Sequence, residues 1–165
     1  IAMDHLILAA DAIRAGFAQV QWPARFEVIQ RHPPVILDCA HNKDSALKLR
    51  LTLAEYFPEW PVVLLFGASE DKDIAGMFAE LLPFTRELIA VKSFHPRAID
   101  PSILQELAQP YGVSVHIIPE IVDAFTEAQK RAGTDSLVLV TGSIFVAAAV
   151  RIAWQKHLAD LEEQA

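Results

Sequence analysis

The sequence predicts an α/β fold with a mostly parallel sheet flanked by helices. Three observations carry this. Continuous apolar runs such as Val62–Phe66 read as short strands buried on both faces, since a strand open to water on one side would alternate apolar and polar. Helical patterns separate these runs, and strands alternating with helices mark βαβ units. At 165 residues, 53% hydrophobic and 21% charged, the chain has the length and composition of one globular domain.

Residues 1–17 read as a helix, with Leu6, Ile7, Ala10, Ile13 and Phe17 at helical spacing and Gly16 near its end. Gln21-Trp22-Pro23 forbids continuation and reads as a linker. Residues 26–30 alternate imperfectly and suit an antiparallel edge strand paired with the next run. Pro33-Pro34 cannot feed a central ladder, so the pair starts or edges the strand Val35-Ile36-Leu37. A helix over 44–56 is closed by Pro58, and the strand 62–66 ends in Gly67. A helix over 74–82 stops at Pro83, before a strand at 87–91. Pro101 suits the first turn of a helix running to Gln109. A strand at 113–117 and a helix over 121–131, closed by Gly133, lead to the last strand, 136–140. Thr141-Gly142-Ser143 opens a final helix to about Leu158, with an acidic, frayed tail.

In a parallel sheet the carboxyl ends of the strands share one edge, and ligands bind there. That edge carries Asp38, Cys39 and His41, then Gly67 through Asp73, then Ser93 through Arg97, then Thr141-Gly142-Ser143. Asp38 reads either as a site carboxylate or as a cap on the following helix. Lys72, between Asp71 and Asp73, reads as an anion contact or, preferably, as a neutralised surface charge. Thr141-Gly142-Ser143 offers an anion cradle or a plain helix cap. Cys39 beside His41 matches a nucleophile–base pair in type, but a buried cysteine beside a strand is ordinarily inert.

A formal net charge of -7 argues against a nucleic-acid partner, although Arg25, Lys43, Lys72 and Arg97 stand ready for a small anion. One cysteine excludes an internal disulfide and any cysteine-cluster metal site, and the histidines lack ligand spacing, so no metal site is expected. The Leu6–Ala10 run lacks a basic leader, and 137–150 is too short and too interrupted to span a membrane. A cytoplasmic location is the default expectation. Opening on Ile1, the sequence reads as part of something longer. It contains no phosphate loop, no G-x-G-x-x-G fingerprint and no nucleophile elbow.

Five motifs nevertheless fall in a familiar order: Trp22-Pro23-Ala24-Arg25-Phe26-Glu27, Leu37-Asp38-Cys39-Ala40-His41-Asn42, Gly67-Ala68-Ser69-Glu70-Asp71-Lys72-Asp73-Ile74, Pro96-Arg97-Ala98 and Val140-Thr141-Gly142-Ser143-Ile144-Phe145. Over residues 21–154 the chain resembles the C-terminal domain of folylpolyglutamate synthase/dihydrofolate synthase, within the Mur ligase superfamily. The resemblance implies a Rossmann-like three-layer sandwich of about six strands, five of them parallel. It implies that 1–22 are the terminal helix and linker of a preceding ATPase domain, and that 23–165 form the Mur ligase-type C-terminal domain. The activity implied is ligation of L-glutamate to a folate or dihydropteroate carboxylate through an acyl phosphate, with ATP and magnesium.

In that family the phosphate loop, the metal ligands and most folate contacts belong to the N-terminal domain, the expected partner. By resemblance, Arg25 and Asp38 would contact ATP, His41 and Ser143 would hold glutamate, and no residue of this chain is assigned a certain catalytic role. Ala24 and Cys39 stand where the family usually has glycine, and Lys43 where it has proline. Lys43 would add positive charge at the glutamate site. Two rival readings remain: another Mur-type amino-acid ligase, of the peptidoglycan-precursor or cyanophycin kind, and a non-catalytic α/β binding module.

Overall fold

The computed structural model describes residues 9–163. Its order is α1 (Ala10–Gln19), β1 (Glu27–Arg31), β2 (Pro34–Leu37), α2 (Lys43–Tyr56), β3 (Val62–Phe66), α3 (Ile74–Leu81), β4 (Thr85–Ala90), α4 (Pro101–Ala108), β5 (Ser114–Ile117), α5 (Ile121–Ala132), β6 (Leu137–Thr141) and α6 (Ile144–Glu163). The six strands form one sheet in the order β1-β2-β6-β3-β4-β5. β1 is antiparallel to β2, and every other pairing is parallel. The fold is therefore the α/β sandwich that the sequence predicts.

Period-two alternation sorts the strand side chains into two layers. Ile36, Leu64, Phe66, Leu88 and Leu139 pack on α2, α3 and α4, where they meet Leu49, Leu53, Met77, Phe78 and Leu104. Phe66 and Phe78 stack edge-on, with centroids 5.0 Å apart. Leu37, Val63, Leu65, Ile89, Val138 and Val140 face the other way, onto α5 and α6, where they meet Ile121, Phe125, Val146 and Val150. Both layers close over β2, β3 and β6, whose residues are all buried, which is why those runs carry no polar alternation. Each fully buried Leu or Phe contributes roughly 1.5–3 kcal/mol. A charge at Leu64 would therefore unfold the centre of the sheet.

Element ends depart from the sequence reading in small, physical ways. The expected helix over 1–17 lies partly outside the described residues; within them it runs Ala10–Gln19 and buries none of its residues. The imperfect alternation of β1 has a cause: its register against β2 slips between Val28 and Gln30. Ile29 consequently packs with the α5–α6 layer, while Phe26 and Val28 pack with the other. Pro33 lies in the hairpin turn and Pro34 opens β2. Pro83 does stop α3, but a 3-10 turn over Leu82–Phe84 then feeds directly into β4, which starts two residues earlier than expected. The acidic tail is helical: α6 continues to Glu163. No described helix is long and apolar enough to cross a membrane.

Candidate functional site

The parallel strands place their carboxyl ends on one edge, and two glycines let the loops there close tightly. A Cβ on Gly67 would meet the Val91 side chain and carbonyl at 2.8 Å. Gly142 has φ +97, and a Cβ there would stand 2.7 Å from the Gly67 carbonyl oxygen. No other residue type combines that φ with that approach. The Gly142 amide donates to the Ala40 carbonyl at 3.1 Å, so the turn after β6 is tied to the turn after β2.

Asp38, at the end of β2, uses both carboxylate oxygens. Oδ2 accepts the Phe26 amide at 2.9 Å and Oδ1 accepts the Ala40 amide at 2.7 Å. It does not cap α2. That role belongs to Asn42, which forms a reciprocal capping box with Ser45. Asp38 instead fixes the linker that carries Arg25. The same linker is held from behind by Glu27, whose carboxylate accepts the Ala24 amide at 2.8 Å and pairs with Arg151 of α6 at 3.0 Å. Between these anchors, Ala24 (φ 54) and Phe26 (φ 47) occupy left-handed conformations that cost roughly 1–2 kcal/mol each. Ala24 thus adopts the backbone geometry that explains glycine at its position. The exposed Arg25 guanidinium lies over the Trp22 ring, 5.8 Å from its centroid.

His41 is exposed at the start of α2, with its ring Nδ1 2.9 Å from the Cys39 carbonyl oxygen. A carbonyl only accepts, so Nδ1 carries a hydrogen and Nε2 is the ring nitrogen left for a ligand. The bond is to the backbone of Cys39, not to its thiol. Burial also pushes the Cys39 thiol up from its ordinary pKa, against the opposing pull of Arg25. Cys39 and His41 are therefore not arranged as nucleophile and base.

Ser143 is buried, and its Oγ accepts the Phe145 amide at 3.2 Å, making it the cap of α6. The hydroxyl hydrogen stays available to a ligand, as do the first-turn amides of α6 other than that of Phe145, since the first turn of a helix lacks intrahelical acceptors. Across the edge, Asp71 bridges two cations: Lys72 Nζ at 3.2 Å and Arg97 Nη1 at 3.4 Å. The Lys72 hydrogen bond, with help from Arg97, holds the Asp71 carboxyl below the usual range. Asp73 is occupied elsewhere, accepting the Gly76 amide as the cap of α3.

Two neighbouring cavities share Arg25, Cys39 and His41. One, of about 340 Å³, adds Asp38, Asp44, Lys48 and the Phe26 ring. The other, of about 270 Å³, adds Lys72, His95, Arg97 and Ser143. The structure thus brings Arg25, His41 and Ser143 to one cavity and Arg25, Asp38 and His41 to the adjoining one. Lys43 lines neither, contrary to the expectation that it adds charge there. Sequence reasoning passed over Lys72 as a neutralised charge, but one carboxylate shared by two cations leaves a net positive charge. His95, placed at the edge with the 93–97 loop but given no role of its own, lines the same cavity, its ring 5.2 Å from that of Phe145. Its place after β4 was the available signal. Among the described residues, no three His, Cys, Asp or Glu side chains converge as a metal site.

A family model described as Mur ligase, glutamate ligase domain, matches residues 24–144. The chain belongs to that family. The matched span takes in Arg25, Asp38, His41, Lys72, Arg97 and Ser143, and ends one residue short of Phe145, which also lines the second cavity. A dihydrofolate synthase/folylpolyglutamate synthase of Bacillus subtilis is 31% identical over 87% of the chain and 33% of the relative. Escherichia coli FolC, solved in complex with DHPP and ADP, superposes with a TM-score of 0.83 at 27% identity, covering 93% of this chain and 36% of that one. A bifunctional folylpolyglutamate synthase/dihydrofolate synthase with Mn, AMPPNP and L-glutamate bound superposes with a TM-score of 0.80 at 32% identity, covering 92% of this chain and 36% of that one. The chain spans about a third of the length of each of these proteins.

Proposed function

We propose that this domain closes over the active site of an ATP-dependent ligase that joins L-glutamate to a folate carboxylate through an acyl phosphate. In this reading residues 1–22 belong to a preceding ATPase domain, which supplies the phosphate loop, the magnesium ligands and most folate contacts, and 23–165 form the closing domain. The observation that carries the reading is the 270 Å³ cavity at the strand ends. Three cationic side chains (Arg25, Lys72 and Arg97) and two histidines (His41 and His95) line it with Ser143, and no carboxylate does, in a chain of net charge -7. Such a cavity selects a small anion. The relative with AMPPNP and L-glutamate bound supports the choice of anion.

Each residue's role follows from its chemistry. Arg25 presents a planar fork to the nucleotide phosphates. Asp38 spends one bond on the Phe26 amide beside Arg25 and one on the Ala40 amide of its own turn, and keeps lone pairs for a donor on ATP. The Ser143 hydroxyl and the first amides of α6 suit a glutamate carboxylate. His41, with Nδ1 bonded to the Cys39 carbonyl, leaves Nε2 for the glutamate substrate. Lys72 offsets the charge of a carboxylate. Closure excludes water that would otherwise hydrolyse the acyl phosphate.

In the full-length ligase, Ser143→Ala and His41→Ala should raise KM for glutamate far more than KM for ATP or folate. Titrating the three substrates separately against each variant is the test. Unchanged glutamate dependence in both variants would refute the assignment.

A further inference from the structure

Arg25 stands between two left-handed residues, Ala24 (φ 54) and Phe26 (φ 47). Each of the two donates its amide to a carboxylate: Phe26 to Asp38 at 2.9 Å, and Ala24 to Glu27 Oε2 at 2.8 Å. Asp38 lines the 340 Å³ cavity, whereas Glu27 lines neither that cavity nor its neighbour. Arg151 of α6 completes the brace, its Nε–H lying 3.0 Å from Glu27 Oε1 and 3.1 Å from Oε2. The two side chains are 32% and 24% exposed, so salt screens the pair less than it would a fully exposed one. Ala24 itself is buried in the α5–α6 layer. Glycine adopts a left-handed φ freely, but alanine is disfavoured there by roughly five- to thirtyfold. The turn around Arg25 therefore keeps its shape only while groups outside it hold it.

We infer that Arg151 is a positioning residue for nucleotide binding: through Glu27 it holds Ala24 left-handed and so keeps Arg25 at the cavities. The inference rests on the phosphate role proposed above for Arg25 and adds a residue that lines neither cavity. Without Arg151, Glu27 turns toward water and Ala24 relaxes to negative φ, carrying Arg25 with it. The fraction of molecules ready to bind ATP then falls, and the apparent affinity falls in proportion. Bound ATP re-forms the turn, so turnover at saturation changes little. The brace also ties the linker to the helix that Ser143 caps.

The test uses the full-length ligase. Arg151→Ala should raise KM for ATP roughly five- to thirtyfold, with kcat within about twofold and a smaller rise in KM for glutamate. Arg151→Lys keeps the charge and should recover part of the loss. Glu27→Gln keeps an acceptor for the Ala24 amide but loses the ion pair, and should resemble Arg151→Ala. The decisive measurement repeats Arg151→Ala in an Ala24→Gly background. Glycine needs no brace, so the effect on KM for ATP should shrink to less than about threefold. An Arg151 that merely supports α6 would act equally in both backgrounds and, through Ser143, would raise KM for glutamate as much as KM for ATP. Either result overturns the inference, as does an unchanged KM for ATP in a folded Arg151→Ala enzyme. Should Arg151→Ala fail to fold, Arg151→Lys and Glu27→Gln read the same comparison. A rise in KM for ATP in Arg25→Ala without one in Arg151→Ala would remove Arg151 and leave the proposed function standing. No rise in Arg25→Ala would remove both the phosphate role of Arg25 and this inference.

Discussion

The Asp38 carboxylate accepts the Phe26 amide at 2.9 Å, tying the end of β2 to a linker 12 residues earlier. Phe26 holds a left-handed φ of 47, so the bond secures a conformation the residue would not keep alone. Arg25 precedes it and inherits its placement.

Asp38→Ala should therefore cost stability as well as catalysis. Two amides lose a charged acceptor, and the loss of even one such bond costs about 1.5–3 kcal/mol. Denaturant melts should show that loss, and the full-length ligase should show a raised KM for ATP as Arg25 is released. Asp38→Asn keeps one acceptor oxygen and should fall between. Wild-type stability in Asp38→Ala would mean that the linker is held by Glu27 alone.

Gly142→Ala tests the closure of the sheet edge. Its Cβ would enter within 2.7 Å of the Gly67 carbonyl and 2.8 Å of the Phe66 ring, at φ +97. Backbone strain and overpacking together cost roughly 2–4 kcal/mol. A fall in melting temperature together with lost glutamate binding is the expected result; a shift of less than a degree or two would show that the loop relaxes freely.

The strands and their order of alternation were legible in the sequence because burial on both faces leaves continuous apolar runs, as in Val62–Phe66. Ser143 was legible as the cap of α6, because a hydroxyl at a helix start readily accepts a first-turn amide. Asp38's role was not, because its partner Phe26 lies across a turn that propensities do not describe. Nor was the sharing of Asp71 between Lys72 and Arg97, since a charge run looks balanced until the residue 26 positions away arrives beside it. The extension of α6 to Glu163 was missed because an acidic end opposes the helix dipole and reads as a fraying tail.

Cys39 should behave as an inert thiol. It is 3% exposed, and burial raises its pKa, so the thiolate is scarce at neutral pH. Iodoacetamide should label it far more slowly in the folded domain than in denaturant. In the full-length ligase, Cys39→Ala should retain turnover within a few-fold. Loss of turnover in a folded Cys39→Ala enzyme would revive a chemical role for the thiol.

The far end of the sheet makes a separate prediction about acid stability. Glu87 on β4 accepts from Arg131 of α5 at 2.7 Å and lies 3.1 Å from His116 Nε2 on β5. Arg86 also approaches it, at 3.7 Å. Burial alone would raise its pKa, but the hydrogen bonds and charges of Arg131 and His116 outweigh burial and hold it below the ordinary value. A carboxyl depressed in the folded state stabilises the fold above its unfolded pKa, about 4.3 for glutamate. That contribution fades as the pH falls from there through the lower folded value. Stability of the domain should therefore decline below about pH 4.3, and Glu87→Gln should flatten that part of the decline. Melting temperatures of the two proteins between neutral pH and pH 3 would measure it, and parallel curves would place the acid sensitivity in other carboxylates.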